Sequence, residues 1–112
     1  MSEFLEEIEF SFEGSKLFYE DQTVECENEI VDICLGQYGD GCGGGRVFIL
    51  FTSDLKAYDL ESKTFMDICS DFQNARSIHK KSCDLFIKLE DEDIIFNLSK
   101  MEKRTLELRE IS

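Results

Sequence analysis

Arg46-Val-Phe-Ile-Leu-Phe-Thr-Ser-Asp-Leu-Lys-Ala-Tyr-Asp-Leu-Glu-Ser-Lys-Thr-Phe-Met-Asp-Ile-Cys69 is three apolar segments separated by two short polar ones. After Arg46, residues 47–51 are continuously apolar, the pattern of a strand covered on both faces. Thr52-Ser53-Asp54 and Glu61-Ser62-Lys63 have turn composition. They leave residues 55–60 and 64–69 as second and third strands. The stretch predicts an antiparallel meander.

Upstream, Ile8, Phe10 and Phe12 alternate with Glu7, Glu9, Ser11 and Glu13 over residues 4–13. Period two gives one dry face and one wet face. Gly14 marks a turn, residues 16–20 a second strand and residues 22–30 a third. In the third, Val24, Cys26 and Ile30 oppose Thr23, Glu25, Glu27 and Glu29. Residues 30–35 are apolar except for Asp32 and read as a central strand buried on both faces. Six of the seven glycines lie between 36 and 45, a connecting loop.

Downstream, residues 70–82 read as a polar loop holding the basic cluster Arg76, His79, Lys80 and Lys81. Residues 84–89 and 94–98 read as strands around a turn at 90–93. Two patterns compete over 99–111. Ser99-Lys100-Met101-Glu102 fits a capping box, and Leu98, Met101, Thr105 and Leu108 have helical spacing. Leu106 and Leu108 alternate as in a strand. Internal repetition favours the strand.

Val31-Asp32-Ile33-Cys34 returns 35 residues on as Met66-Asp67-Ile68-Cys69. Val47-Phe48-Ile49 matches Leu85-Phe86-Ile87, and Tyr58-Asp59-Leu60 matches Phe96-Asn97-Leu98, both 38 residues on. The second copy is therefore expected to carry three more residues in its long loop. The chain divides as one all-β domain, 1–112, with a partial blade at 1–29 and blade-like repeats at 30–65 and 66–112. Four antiparallel strands in about 40 residues is the size of one propeller blade.

The Thr52-Ser53-Asp54 turn followed by Ala57-Tyr58-Asp59-Leu60-Glu61-Ser62-Lys63-Thr64 resembles the inner strands of a β-propeller blade of the WD-repeat type. Tyr58-Asp59 and Phe96-Asn97 stand where that family carries Trp-Asp, and its Gly-His pair has no counterpart. Residues 30–38 followed by 48–58 are similar, as a lesser match, to repeats of the regulator-of-chromosome-condensation type. The resemblance implies antiparallel four-stranded blade-like meanders, an incomplete β-propeller and a scaffold role. Two blades and a partial third cannot close a ring of about four to eight. Open strand edges would then be filled by another chain or by self-association. The same pattern also suits a compact β-sandwich or barrel, or a pleckstrin-like binding domain ending in a helix.

Composition narrows the partners. Twenty-five acids against 12 bases give a net charge of -13. That field repels phosphate backbones and anionic lipid surfaces, so no nucleic acid or membrane is expected, and a basic protein surface would be attracted. Ten Phe and three Tyr predict an aromatic-rich core. Five Cys lack paired spacing, the first residues are acidic, and no apolar run reaches membrane length. An intracellular location, cytoplasmic or nuclear, is expected.

Candidate chemistry is sparse. Gly39-Asp40-Gly41-Cys42-Gly43-Gly44 matches G-x-G-x-x-G in form, but a strand follows where a dinucleotide site needs a helix. There is no C-x-x-C, and most cysteines lie in apolar segments as small hydrophobes. His79, the single histidine, reads as a surface loop residue without a nucleophile to serve. Glu90-Asp91-Glu92-Asp93 lacks the spacing of a calcium loop. The expectation is a protein with no catalytic residue, cofactor or metal. It would be a non-catalytic protein–protein interaction module or scaffold subunit, or else the accessory subunit of an enzyme complex. Tyr19, Tyr38 and Phe72, read as exposed groups near loops, and the basic Arg76, Lys80 and Lys81 are the candidate contact residues.

Overall fold

The computed structural model describes residues 10–36, 46–70, 72–81, 83–90 and 92–106. Among them every regular element is a strand, and all pairing is antiparallel. β1 (Phe10–Glu13), β2 (Lys16–Tyr19) and β3 (Gln22–Glu25) form a three-stranded sheet in chain order. β4 (Asp32–Gly36), β5 (Arg46–Leu50), β6 (Leu55–Asp59) and β7 (Thr64–Cys69) form a four-stranded one. β8 (Ala75–Lys81), β9 (Asp84–Leu89), β10 (Asp93–Asn97) and β11 (Glu102–Leu106) form a second sheet of four. No helix among the described residues is long and apolar enough to cross a membrane.

The sheets are held face to face by two apolar layers, and the middle sheet is a wall of both. Phe48 and Leu50 of β5 point to the third sheet, where they meet Ile78, Leu85, Ile87, Ile94 and Phe96. Val47, Ile49 and Phe51 point the other way, to Leu17, Tyr19 and Val24 of the first sheet. Residues 47–51 are all nearly inaccessible to solvent. That explains why an alternating pattern is missing from this strand. No polar or charged side chain is buried among the described residues.

The second and third sheets repeat their construction 38 residues apart. Phe51 N–H donates to the Asp54 carbonyl, and Leu89 N–H to that of Glu92. Lys63 and Met101 both adopt left-handed backbone, at φ 58° and 55°. Arg46 pairs with Asp59 across β5 and β6 (Nε to Oδ2, 3.4 Å), and Asn97 Nδ2 donates to Asp84 Oδ1 at the matching register (2.8 Å). Asp59 also receives the N–H groups of Glu61 and Ser62, as Asn97 receives that of Lys100.

The backbone hydrogen bonds from Ser62 and Glu61, together with Arg46, hold the Asp59 carboxyl below its ordinary value. A depressed carboxylate stabilises the fold above its unfolded pKa, about 3.9, and loses that contribution as pH falls through the lower folded value. The stability gap between wild type and Asp59→Ala, measured by urea unfolding, is therefore expected to be constant near neutrality. It should close as pH drops below about 4; a gap unchanged at low pH would contradict the assignment.

Three sequence expectations need correction. The third strand of the first sheet ends at Glu25, and residues 26–31 cross to the next sheet. β4 lies at the edge of its sheet and is only half-buried, although Cys34 packs against one layer and Ile33 and Leu35 against the other; β5, not β4, is the central, fully buried strand. Residues 75–81, read as part of a polar loop, form β8, with Ala75 and Ile78 buried and His79 stacked on Phe86 (centroids 4.9 Å apart).

The phase of the repeat also changes. Met66-Asp67-Ile68-Cys69 lies in β7, the last strand of the middle sheet, so its likeness to Val31-Asp32-Ile33-Cys34 of β4 is not a structural equivalence. β8 takes the place of β4, and its link to β9 is shorter than the link from β4 to β5. Over the last segment the strand reading holds through β11, residues 98–101 being a turn; residues 107–111 lie outside the described part.

Candidate functional site

Strand directions bring the turns and crossings 13–16, 26–31, 51–54, 70–74 and 89–92 to one end of the sheets. Hydrogen bonds tie this end together. Ile30 N–H donates to the Gly14 carbonyl, Ala75 N–H to that of Thr52, and Glu90 N–H to that of Asn74. Gly14 sits at φ 61°, where a side chain is disfavoured, and so permits the first of these turns.

The same end carries two recesses of related construction. The first, about 130 Å³, is lined by Cys26, Phe51 and Phe65 below and by Glu25, Glu27 and Lys56 at the rim. The second, about 360 Å³, is lined by Phe72 and Leu89 with Asn74, Glu90 and Glu92. Both are formed by a crossing segment against the turn after the second strand of a four-stranded sheet. Phe51 and Leu89, 38 residues apart, hold matching places in them.

The first recess has an acidic rim. Lys56 Nζ is bonded to Asp67, while Glu25 and Glu27 are solvent-exposed and form no ion pair among the described residues. Burial pushes the Asp54 carboxyl above its ordinary value, helped by Asp67 and Glu27 and opposed by Lys56. The hydrogen bond that Lys56 donates to Asp67 holds its ammonium above its ordinary value in turn. β7 leaves Phe65, in the recess wall, at 43% of its full area and Met66, on the opposite face of the sheet, at 38%.

The residues proposed as contacts are scattered by the fold. Tyr19 and Phe72 are buried, at 6% and 7% exposure, not displayed near loops. Tyr19 stacks on Phe10 at 5.3 Å, and burial beside Tyr58 raises its hydroxyl pKa. Phe72 closes the layer between the second and third sheets, with one edge reaching the second recess. Arg76 is exposed, 3.8 Å from Glu90. Lys81 is exposed at the far end of β8, and Lys80 is half-buried on the same strand. Tyr38 lies outside the described residues. These positions do not converge on one site.

The cysteines divide by environment. Cys34 packs against the layer between the second and third sheets, and burial, then the Asp32 carboxylate, push its thiol up to about 12. That suits a small hydrophobe better than a nucleophile. Cys26, whose thiol burial also raises, and Cys69 are free as well, whereas Cys83 is disulfide-bonded.

Neither recess was found from the sequence, because their walls come from segments far apart in the chain. One signal was available. The 38-residue spacing aligns 51–54 with 89–92. No family model matches this chain, and no curated protein matches it.

Proposed function

We propose that the three sheets are successive blades of an open β-propeller and that the chain is a non-catalytic protein–protein interaction module or scaffold subunit. A partner chain or a second copy completes it. The observation that carries this reading is the outward face of the third sheet. There Phe86 and Ile95 lie opposite one another across β9 and β10 and are only partly covered. The middle sheet, built to the same plan, has both faces covered. Stacked repeats are stabilised by their neighbours, and a terminal unit is left with an unfilled side.

A compact β-sandwich-like binding domain, complete in itself, is the second reading. It is favoured by the outward face of the first sheet, where Ser11, Glu13, Lys16, Thr23 and Glu25 surround the single partly covered Phe18.

Light scattering of the purified chain over a wide concentration range separates them. The first reading predicts an assembly mass above 13.0 kDa, or a stoichiometric second chain after tagged purification. Phe86→Glu should restore the 13.0 kDa species with an unchanged far-ultraviolet spectrum. A monodisperse monomer at every concentration, with no second chain bound, would overturn it.

A further inference from the structure

We propose that the end of the molecule bearing the two recesses docks a basic protein segment carrying an apolar side chain, with that side chain seated between Phe51, Cys26 and Phe65 and the flanking Lys or Arg residues on Glu25 and Glu27. The inference rests on the reading of the chain as a protein-binding module. It does not depend on which chain completes the sheets.

Size selects the kind of ligand. Pockets for drug-sized molecules and cofactors are usually about 300 Å³ or more. A recess of about 130 Å³ with an aromatic floor is suited to one apolar side chain. Phe65, 43% exposed, carries the apolar wall of the recess out onto β7. β7 is the last strand of its sheet in hydrogen-bonding order, so its outer edge is open among the described residues. An extended segment can lie along such an edge.

Charge selects the flanking residues. Lys56 at the rim is already bonded to Asp67, so neither Glu25, which faces Lys16 across β2 and β3, nor Glu27 has a close ion pair among the described residues. Glu90 and Glu92 repeat the arrangement at the second recess, where Arg76 offsets Glu90 only from 3.8 Å and in solvent. An acidic segment would meet repulsion at both recesses. A neutral apolar one would leave the carboxylates without counter-charge. The whole-chain charge of -13 steers a cationic segment in the same direction. It also disfavours a second copy of this chain as the occupant.

The test uses dye-labelled acetyl-Lys-Arg-Leu-Arg-Lys-amide, titrated with the full chain at low salt and followed by fluorescence anisotropy. Saturable binding is expected. It should weaken by at least about fivefold when the peptide's Leu becomes Ser or its bases become Gln. Glu25→Gln/Glu27→Gln and Phe65→Ser should each produce a loss of that size. Glu20→Gln/Glu61→Gln, which removes the same charge from the opposite end, should change binding less than about twofold. All five substituted positions are exposed, so the fold is retained.

Absence of saturable binding overturns the proposal. So does equal weakening by the two pairs of charge variants, or a Phe65→Ser chain that binds as well as wild type. An assembly in light scattering without peptide binding would sink this docking surface alone. Peptide binding by a strict monomer would sink the open-propeller reading alone.

Discussion

Phe48→Ala is expected to destabilise the protein by about 3–5 kcal/mol, against a total of about 5–15 kcal/mol for a domain of ordinary stability. Phe48 is 1% exposed and stands in the layer between the second and third sheets. Neighbours on two sheets limit how far the vacated space can collapse, so both the transfer and the cavity contributions apply. Urea unfolding should show a large fall in midpoint. Phe65→Ala, two strands away on the exposed β7, loses only its ring contact with Tyr58 at 4.9 Å and should cost no more than about 1.5 kcal/mol. If the two phenylalanines cost the same, the layered packing is wrong.

The second large effect is expected at Asp32. Its Oδ2 accepts the Ile78 N–H at 2.9 Å, from β4 of the middle sheet to β8 of the third, while Oδ1 accepts the Ile33 N–H at 2.9 Å. This is a charge-assisted joint between sheets, placed beside an apolar layer. Asp32→Ala should cost about 1.5–3 kcal/mol, because it removes the acceptor and leaves the Ile78 N–H without one. Asp32→Asn, which keeps an acceptor oxygen, should cost less. Amide exchange at Ile78 should accelerate in the alanine variant. An exchange rate equal to wild type would show that the joint carries no load.

Asp32 also shows where the sequence was legible and where it was not. It stood out as the one polar residue in an apolar run. Its purpose was hidden, because its partner is a backbone N–H 46 positions away. The strands of the middle sheet were readable because five consecutive apolar residues leave few alternatives to a doubly covered strand. The 38-residue spacing was readable because β5, β6 and their turns recur in β9 and β10 with the same polar anchors.

β8 was missed for a local reason. A register shift between Ala75 and Ser77 breaks the period of two, so its buried residues, Ala75 and Ile78, are three apart. The remaining β8 side chains include Arg76, His79, Lys80 and Lys81, which resemble loop composition. Tyr19 and Phe72 misled for the opposite reason. Aromatic residues next to turns look available to partners, yet a stack of small sheets uses them to seal its layers. The acidic recess was illegible because its carboxylates and its aromatic floor belong to different sheets.

The shared wall described for β5 has a consequence for how the molecule comes apart. Either outer sheet can peel away at the expense of one layer, leaving the other still closed. Loosening the middle sheet breaches both at once. Damage at one tip is thus contained, whereas the same damage at 47–50 reaches both tips together, so the chain has a keystone rather than a uniform strength.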